Sequence, residues 1–124
     1  MFRIKVFSNI SGAHHLREYK GKCEKLHGHN WKVEVFFEGK ELNSEGMLLD
    51  FKDAKKIVKK ITKKLDHENI NEVPPFDKLN PTAENIARFI FGEVQKELKD
   101  YFGIQTGKVI VWETDTNCAE YYED

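Results

Sequence analysis

At 124 residues the chain has room for one core of real size, so residues 1–124 read as a single domain. A charged fraction of 33% beside 40% hydrophobic residues is a soluble, globular balance, and 20 basic against 21 acidic residues exclude the overall electrostatic footprint of a nucleic-acid binder. No apolar run reaches the ~20 residues that span a bilayer, the start Met1-Phe2-Arg3-Ile4-Lys5 lacks a signal-peptide pattern, and only Cys23 and Cys118 offer thiols, so the expectations are no membrane, no disulfide framework and a cytoplasmic setting.

Phe2 to Phe7 alternates apolar and basic residues, which predicts a first strand. The polar, His-containing stretch from Ser8 to Gly28 reads as a long functional loop. Alternation returns over His29 to Phe37, with Trp31, Val33, Val35 and Phe37 on one side, and predicts a second strand. Asp50 is a good N-cap for a helix whose buried stripe is Phe51, Ala54, Ile57, Val58, Ile61 and Leu65, leaving the intervening lysines as a solvated face. Asn80-Pro81 opens a second helix, with Asn as cap and Pro at the first helical position, carrying Ile86, Phe89, Ile90, Val94 and Leu98; Gly103 and Gly107 close it. Lys108 to Trp112 and Cys118 to Tyr122 are the third and fourth strands, joined by the turn Thr114 to Asn117. The order ββααββ predicts an α+β layer fold: a four-stranded antiparallel sheet with two helices on one face. The other face or the edges then call for cover by another copy.

Four of the five histidines stand where chemistry can be argued. In His27-Gly28-His29 the two imidazoles are two residues apart at the mouth of a strand, so they leave the same face and can converge on one ion. A third imidazole, from His14 or His15, completes three ligands with one position open, the arrangement of a catalytic zinc. Cys23, four residues before His27 and flanked by Lys22 and Lys25, suits a thiolate base or nucleophile; a fourth zinc ligand and a small buried hydrophobe are the other readings. Asp66 and His67 can orient one another for proton transfer, against the simpler reading of a histidine at a helix end. Glu113, ending an apolar strand, can accept two parallel N–H bonds from a planar guanidine-like group, against the simpler reading of a solvated strand end.

Six stretches carry a resemblance: Ala13-His14-His15-Leu16, Cys23-x-x-x-His27-Gly28-His29, Gly46 to Phe51, Leu65-Asp66-His67, Pro81 to Asn85 and Trp112 to Asp115. In this order and spacing they resemble the 6-pyruvoyl-tetrahydropterin synthase and 6-carboxytetrahydropterin synthase family. The resemblance implies the tunnelling fold, trimers closing into a barrel, and homohexamers as dimers of trimers. It implies Zn2+ held by His14, His27 and His29, with Cys23, Asp66 and His67 moving protons. Glu113 is then the pterin anchor, with Thr82 and Glu24 also at the substrate. The implied activity is a zinc-dependent lyase that converts 7,8-dihydroneopterin triphosphate to 6-carboxy-5,6,7,8-tetrahydropterin with loss of triphosphate, a step of queuosine and archaeosine synthesis.

The short spacing from Cys23 to His27 resembles the carboxy-product enzymes more than the animal biopterin enzymes. Glu24 resembles a subgroup that cleaves dihydroneopterin to 6-hydroxymethyl-dihydropterin, so a pyruvoyl product and a dual activity are the alternatives. Arg17, Lys20, Lys22 and Lys25 are the cations nearest the site in sequence and the candidates for the triphosphate. Two rivals lie outside this family of activities: a structural zinc clip with Cys23 as the fourth ligand, and nucleic-acid binding by the lysines from Lys52 to Lys64.

Overall fold

The computed structural model describes residues 1–124. Its elements are β1 (Phe2–His14), β2 (His27–Gly39), α1 (Phe51–Thr62), a 3-10 turn (Ile70–Glu72), α2 (Ala83–Glu97), β3 (Ile104–Trp112) and β4 (Cys118–Tyr122). The strands form one antiparallel sheet in the order β1-β2-β3-β4, and both helices lie on one face, α1 against β1 and α2 against β3 and β4. This is the α+β architecture and ββααββ order that the hydrophobic periods predict.

Side-chain alternation decides which face of the sheet the helices cover. Val6 and Ile10 of β1, Trp31 to Phe37 at alternate positions of β2, and Val109 and Val111 of β3 point to the same side and are buried there. Ala54, Ile57, Val58 and Ile61 of α1 meet them together with Ile86, Ile90 and Val94 of α2, in one continuous cluster. The Asp50 carboxylate caps α1 by accepting the Lys52 N–H at 2.8 Å.

Boundaries differ from the sequence reading at several elements, β2 running from His27 to Gly39 and β3 beginning at Ile104. β1 continues past Phe7 to His14, because the period-two burial persists through Ile10 although the intervening side chains are small and polar. The expected loop of Ser8 to Gly28 therefore shrinks to the segment between His14 and His27. α1 ends at Thr62, Leu65 is buried from the turn that follows, and Phe51, expected in the buried stripe, is exposed at the first turn of the helix. The cap of α2 is Thr82, whose hydroxyl accepts the Asn85 N–H at 3.1 Å, so Asn80 and Pro81 lie outside the helix. Gly107 lies inside β3 rather than closing α2: the register slips between Phe36 and Phe37 of β2, leaving Gly107 as the extra residue of a bulge. A Cβ at Gly107 would stand 2.6 Å from the Glu38 side chain.

Candidate functional site

The period-two stripe that builds the core also builds the site. His27, His29, Trp31 and Val33 follow one another on the helix-covered face of β2, and the β1–β2 register sets His14 directly opposite His27. The three imidazoles pack edge to edge, with centroids 4.8 Å apart for His14–His27 and His27–His29 and 5.1 Å for His14–His29. Their ligand atoms all lie within 4.8 Å of one another. Trp31 forms the floor, its ring centroid 4.9 Å from that of His14 and 5.2 Å from that of His29.

Hydrogen bonding fixes which nitrogen each ring presents. His14 Nδ1–H donates to the Pro81 carbonyl at 2.7 Å, and His27 Nδ1–H donates to the Lys25 carbonyl at 2.8 Å, so both rings turn Nε2 inward. His29 Nε2 is buried and has no hydrogen-bond partner. An orphaned ring nitrogen costs free energy unless something occupies the space before it. Burial holds His14 below the usual histidine pKa, outweighing the Pro81 hydrogen bond, which acts in the opposite sense. Three imidazoles with converging nitrogens are a donor set that suits a borderline-soft divalent ion, and these residues fit a metal.

Two carboxylates border the histidines. Glu113 Oε2 is 4.0 Å from His14 Nε2, and its Oε1 is 3.9 Å from His29 Nε2. Glu24 Oε1 accepts the Leu16 N–H at 3.1 Å and stands 3.8 Å from His27 Nδ1. Glu113 and Thr82 line one groove of 350 Å³ with Leu16 and Cys118. Partial desolvation, with Glu120 and Glu34 nearby, raises the thiol pKa of Cys118, which is itself exposed. Cys23 is exposed and lies outside the three-histidine group, so no protein sulfur closes the cluster.

Asp66 and His67 lie elsewhere, at the free edge of β1. Asp66 Oδ1 accepts the Ser11 N–H at 2.8 Å, and its Oδ2 is 3.0 Å from His67 Nδ1. The Ser11 hydrogen bond above all, with His67 adding to it, holds the Asp66 carboxyl below its usual pKa. His67 N–H donates to the Ser11 carbonyl, locking the residue at φ 61°. Its imidazole is 81% exposed. The pair follows the end of α1 by several residues, so it is no helix cap. Gly12 permits this closeness: a Cβ there would come within 2.9 Å of the Glu68 carbonyl oxygen. The dyad shares a groove with Ser8, Asn9 and four lysines of α1, and none of the three clustered histidines lines it.

The model of the family described as 6-pyruvoyl tetrahydropterin synthase matches residues 3–124. This chain belongs to that family. It is 34% identical over 145 residues to a 6-carboxy-5,6,7,8-tetrahydropterin synthase of Haemophilus influenzae, covering 99% of this chain and 100% of that one. It is 37% identical over 111 residues to a dihydroneopterin monophosphate aldolase of Pyrococcus furiosus, covering 90% and 89% of the two. The solved 6-pyruvoyl tetrahydropterin synthase of Caenorhabditis elegans superposes with a TM-score of 0.84 at 23% identity, over 99% of this chain and 96% of that one. The relatives are pterin synthase enzymes and an aldolase acting on a pterin.

Within this pterin synthase fold, the structure brings together His14, His27, His29, Glu24 and Glu113, with Thr82 on the same groove as Glu113. It leaves Asp66 and His67 in a separate groove. The Thr82 hydroxyl is committed to capping α2. His15 serves through its backbone, exchanging hydrogen bonds with the Asn71 side chain at 2.9 and 3.0 Å. Arg17 is spent structurally: its guanidinium donates to the carbonyls of Leu79, Asn71 and Phe76, clamping the segment that delivers Pro81 to His14. The roles of Pro81, Trp31 and Ser11 went unseen in the sequence, because each acts through a backbone group or a ring face that no side-chain motif announces.

Proposed function

We propose that this protein is a zinc-dependent lyase converting 7,8-dihydroneopterin triphosphate and water to 6-carboxy-5,6,7,8-tetrahydropterin, with release of triphosphate and acetaldehyde. The observation that carries the reading is the three-imidazole cradle, with two rings pinned by backbone carbonyls and the third presenting a buried, partnerless nitrogen, beside the Glu113 carboxylate. His14, His27 and His29 would hold the ion, which supplies Lewis-acid polarisation of substrate oxygens.

The remaining work falls to the chain's own groups. Glu113 accepts the 2-amino and N3 hydrogens of the pterin ring and so fixes its register. Cys23 as thiolate takes a proton from the substrate side chain. Asp66 holds the proton of His67 on Nδ1, which leaves Nε2 free to accept or return a proton on the other side. In one chain the dyad lines a different groove from the cradle, so the reading includes a homo-oligomer in which a neighbouring copy brings its dyad to the cleft; a hexamer built as a dimer of trimers is the expected form.

A second reading keeps the fold and cradle but cleaves the side chain of a dihydroneopterin to give 6-hydroxymethyl-dihydropterin. Glu24 beside His27 and the likeness to the Pyrococcus aldolase favour it. Incubating zinc-loaded, reduced protein with 7,8-dihydroneopterin triphosphate, beside a Cys23→Ala control, and identifying products by mass spectrometry separates the readings. Carboxytetrahydropterin with acetaldehyde supports the first, and hydroxymethyl-dihydropterin supports the second. A pyruvoyl product retains the fold and moves the activity to that branch. No turnover by zinc-replete protein overturns the lyase assignment.

A further inference from the structure

Seven lysines stand between positions 52 and 64, and they do not share one environment. Lys60 Nζ pairs with Glu97 at 2.9 Å and Lys64 Nζ with Glu93 at 2.7 Å, so α2 neutralises that side. Lys52, Lys55, Lys56 and Lys59 form no ion pair; they line the 580 Å³ groove that holds Asp66 and His67. Four ammonium groups there face one carboxylate, and Phe7 is the only apolar side chain in the lining. The groove on the other side of Lys56 and Lys59 also has four lysines, but it includes Asp53 and Glu97 and so is partly compensated. Like charges three and four residues apart on a helix repel one another, and on the side of the dyad none of the four lysines has an ion-pair partner to relieve that repulsion.

We propose that this groove is a binding site for a linear polyphosphate chain, and that its occupant is the triphosphate of the substrate; the second part rests on the reading of function above. Lysine is a compact, strongly hydrated point charge that suits phosphate oxygens, and a row of four along one helix matches a chain of charges better than a single anion. The position agrees with the chemistry. The triphosphate hangs from the same short side chain on which the dyad acts, so with the dyad in place the phosphates fall among the lysines beside it. Of the cations nearer the cradle in sequence, Arg17 has no free role, since three carbonyls take its guanidinium.

The test titrates inorganic tripolyphosphate into the zinc-loaded full-length protein by calorimetry at low and physiological salt. The variants are Lys52→Gln/Lys55→Gln, which line the dyad groove, and Lys60→Gln/Lys63→Gln, which remove equal charge from the partly compensated groove on the other side. The expected result is a loss of about 10-fold or more in affinity for the first pair, under about 3-fold for the second, and weaker binding as salt rises. Failure of the native protein to bind tripolyphosphate, or equal losses in both variants, overturns the site. Kinetics then separate site from substrate. A KM for the pterin triphosphate raised in the first variant only, with binding of unphosphorylated dihydroneopterin unchanged, supports the assignment. Lost tripolyphosphate binding with an unchanged KM overturns the substrate as its occupant. Groove-dependent binding by a protein that turns over no pterin leaves the polyphosphate site standing and removes the lyase reading.

Discussion

The histidine cradle and the Asp66–His67 groove both grow from the end of β1, yet they are built in opposite ways. The cradle continues the buried stripe of the sheet: His14 is 3% exposed, two rings are fixed by carbonyls, and Trp31 lies beneath. The dyad hangs on the free edge of the strand through Ser11, with His67 81% exposed. Under the proposed reading, ligands that must converge within a few tenths of an ångström are held by the core, whereas a proton carrier that meets its substrate from another surface needs only its tautomer fixed. The two regions should therefore respond to damage differently.

The sharpest contrast is in activity. His29→Ala should abolish metal binding and turnover together while the far-ultraviolet circular dichroism stays native; metal analysis on the purified variant checks this. His67→Ala should cost about 10²–10⁴ in kcat and leave metal stoichiometry intact. If it released the metal as well, the separation of the two regions would be wrong. Next in size is Trp31→Ala, which removes the buried floor of the cradle and should destabilise by about 3–5 kcal/mol in denaturant unfolding. An equal truncation in the dyad groove, Phe7→Ala, strikes a half-exposed ring and should cost far less.

The smallest effect is a pH dependence at the dyad. The folded-state pKa of Asp66 is depressed, so its contribution to stability is present above the unfolded carboxylate value of about 4 and is lost as pH falls through the folded one. Thermal melts of native and Asp66→Ala protein should differ by a constant gap above about pH 5, and the gap should close toward pH 2. A gap that widens on acidification would contradict the Ser11 hydrogen bond as its source.

Much of this arrangement was legible in the residues. Strict alternation around Trp31 announced β2, the apolar stripes of the helices announced their shared face, and the spacing of His27 and His29 placed both rings on one side of a strand. The partner imidazole remained open between His14 and His15, because the small polar residues from Ser8 to Gly12 hid the continuation of β1 that sets His14 opposite His27. Pro81 read as a helix start, since its carbonyl contact to His14 is long-range and a proline motif says nothing of it. The lysines of α1 read as one solvated face. Only the packing of α2 shows that Glu93 and Glu97 compensate one side of them and leave the other bare.

The central claim is an open, three-histidine catalytic metal site rather than a closed structural one, and X-ray absorption at the zinc edge on the loaded, reduced protein tests it most directly. The account predicts three imidazole nitrogens at about 2.0–2.1 Å with oxygen completing the shell, unchanged in Cys23→Ala. A sulfur scatterer near about 2.3 Å that disappears in Cys23→Ala would contradict it and make the cluster a structural clip.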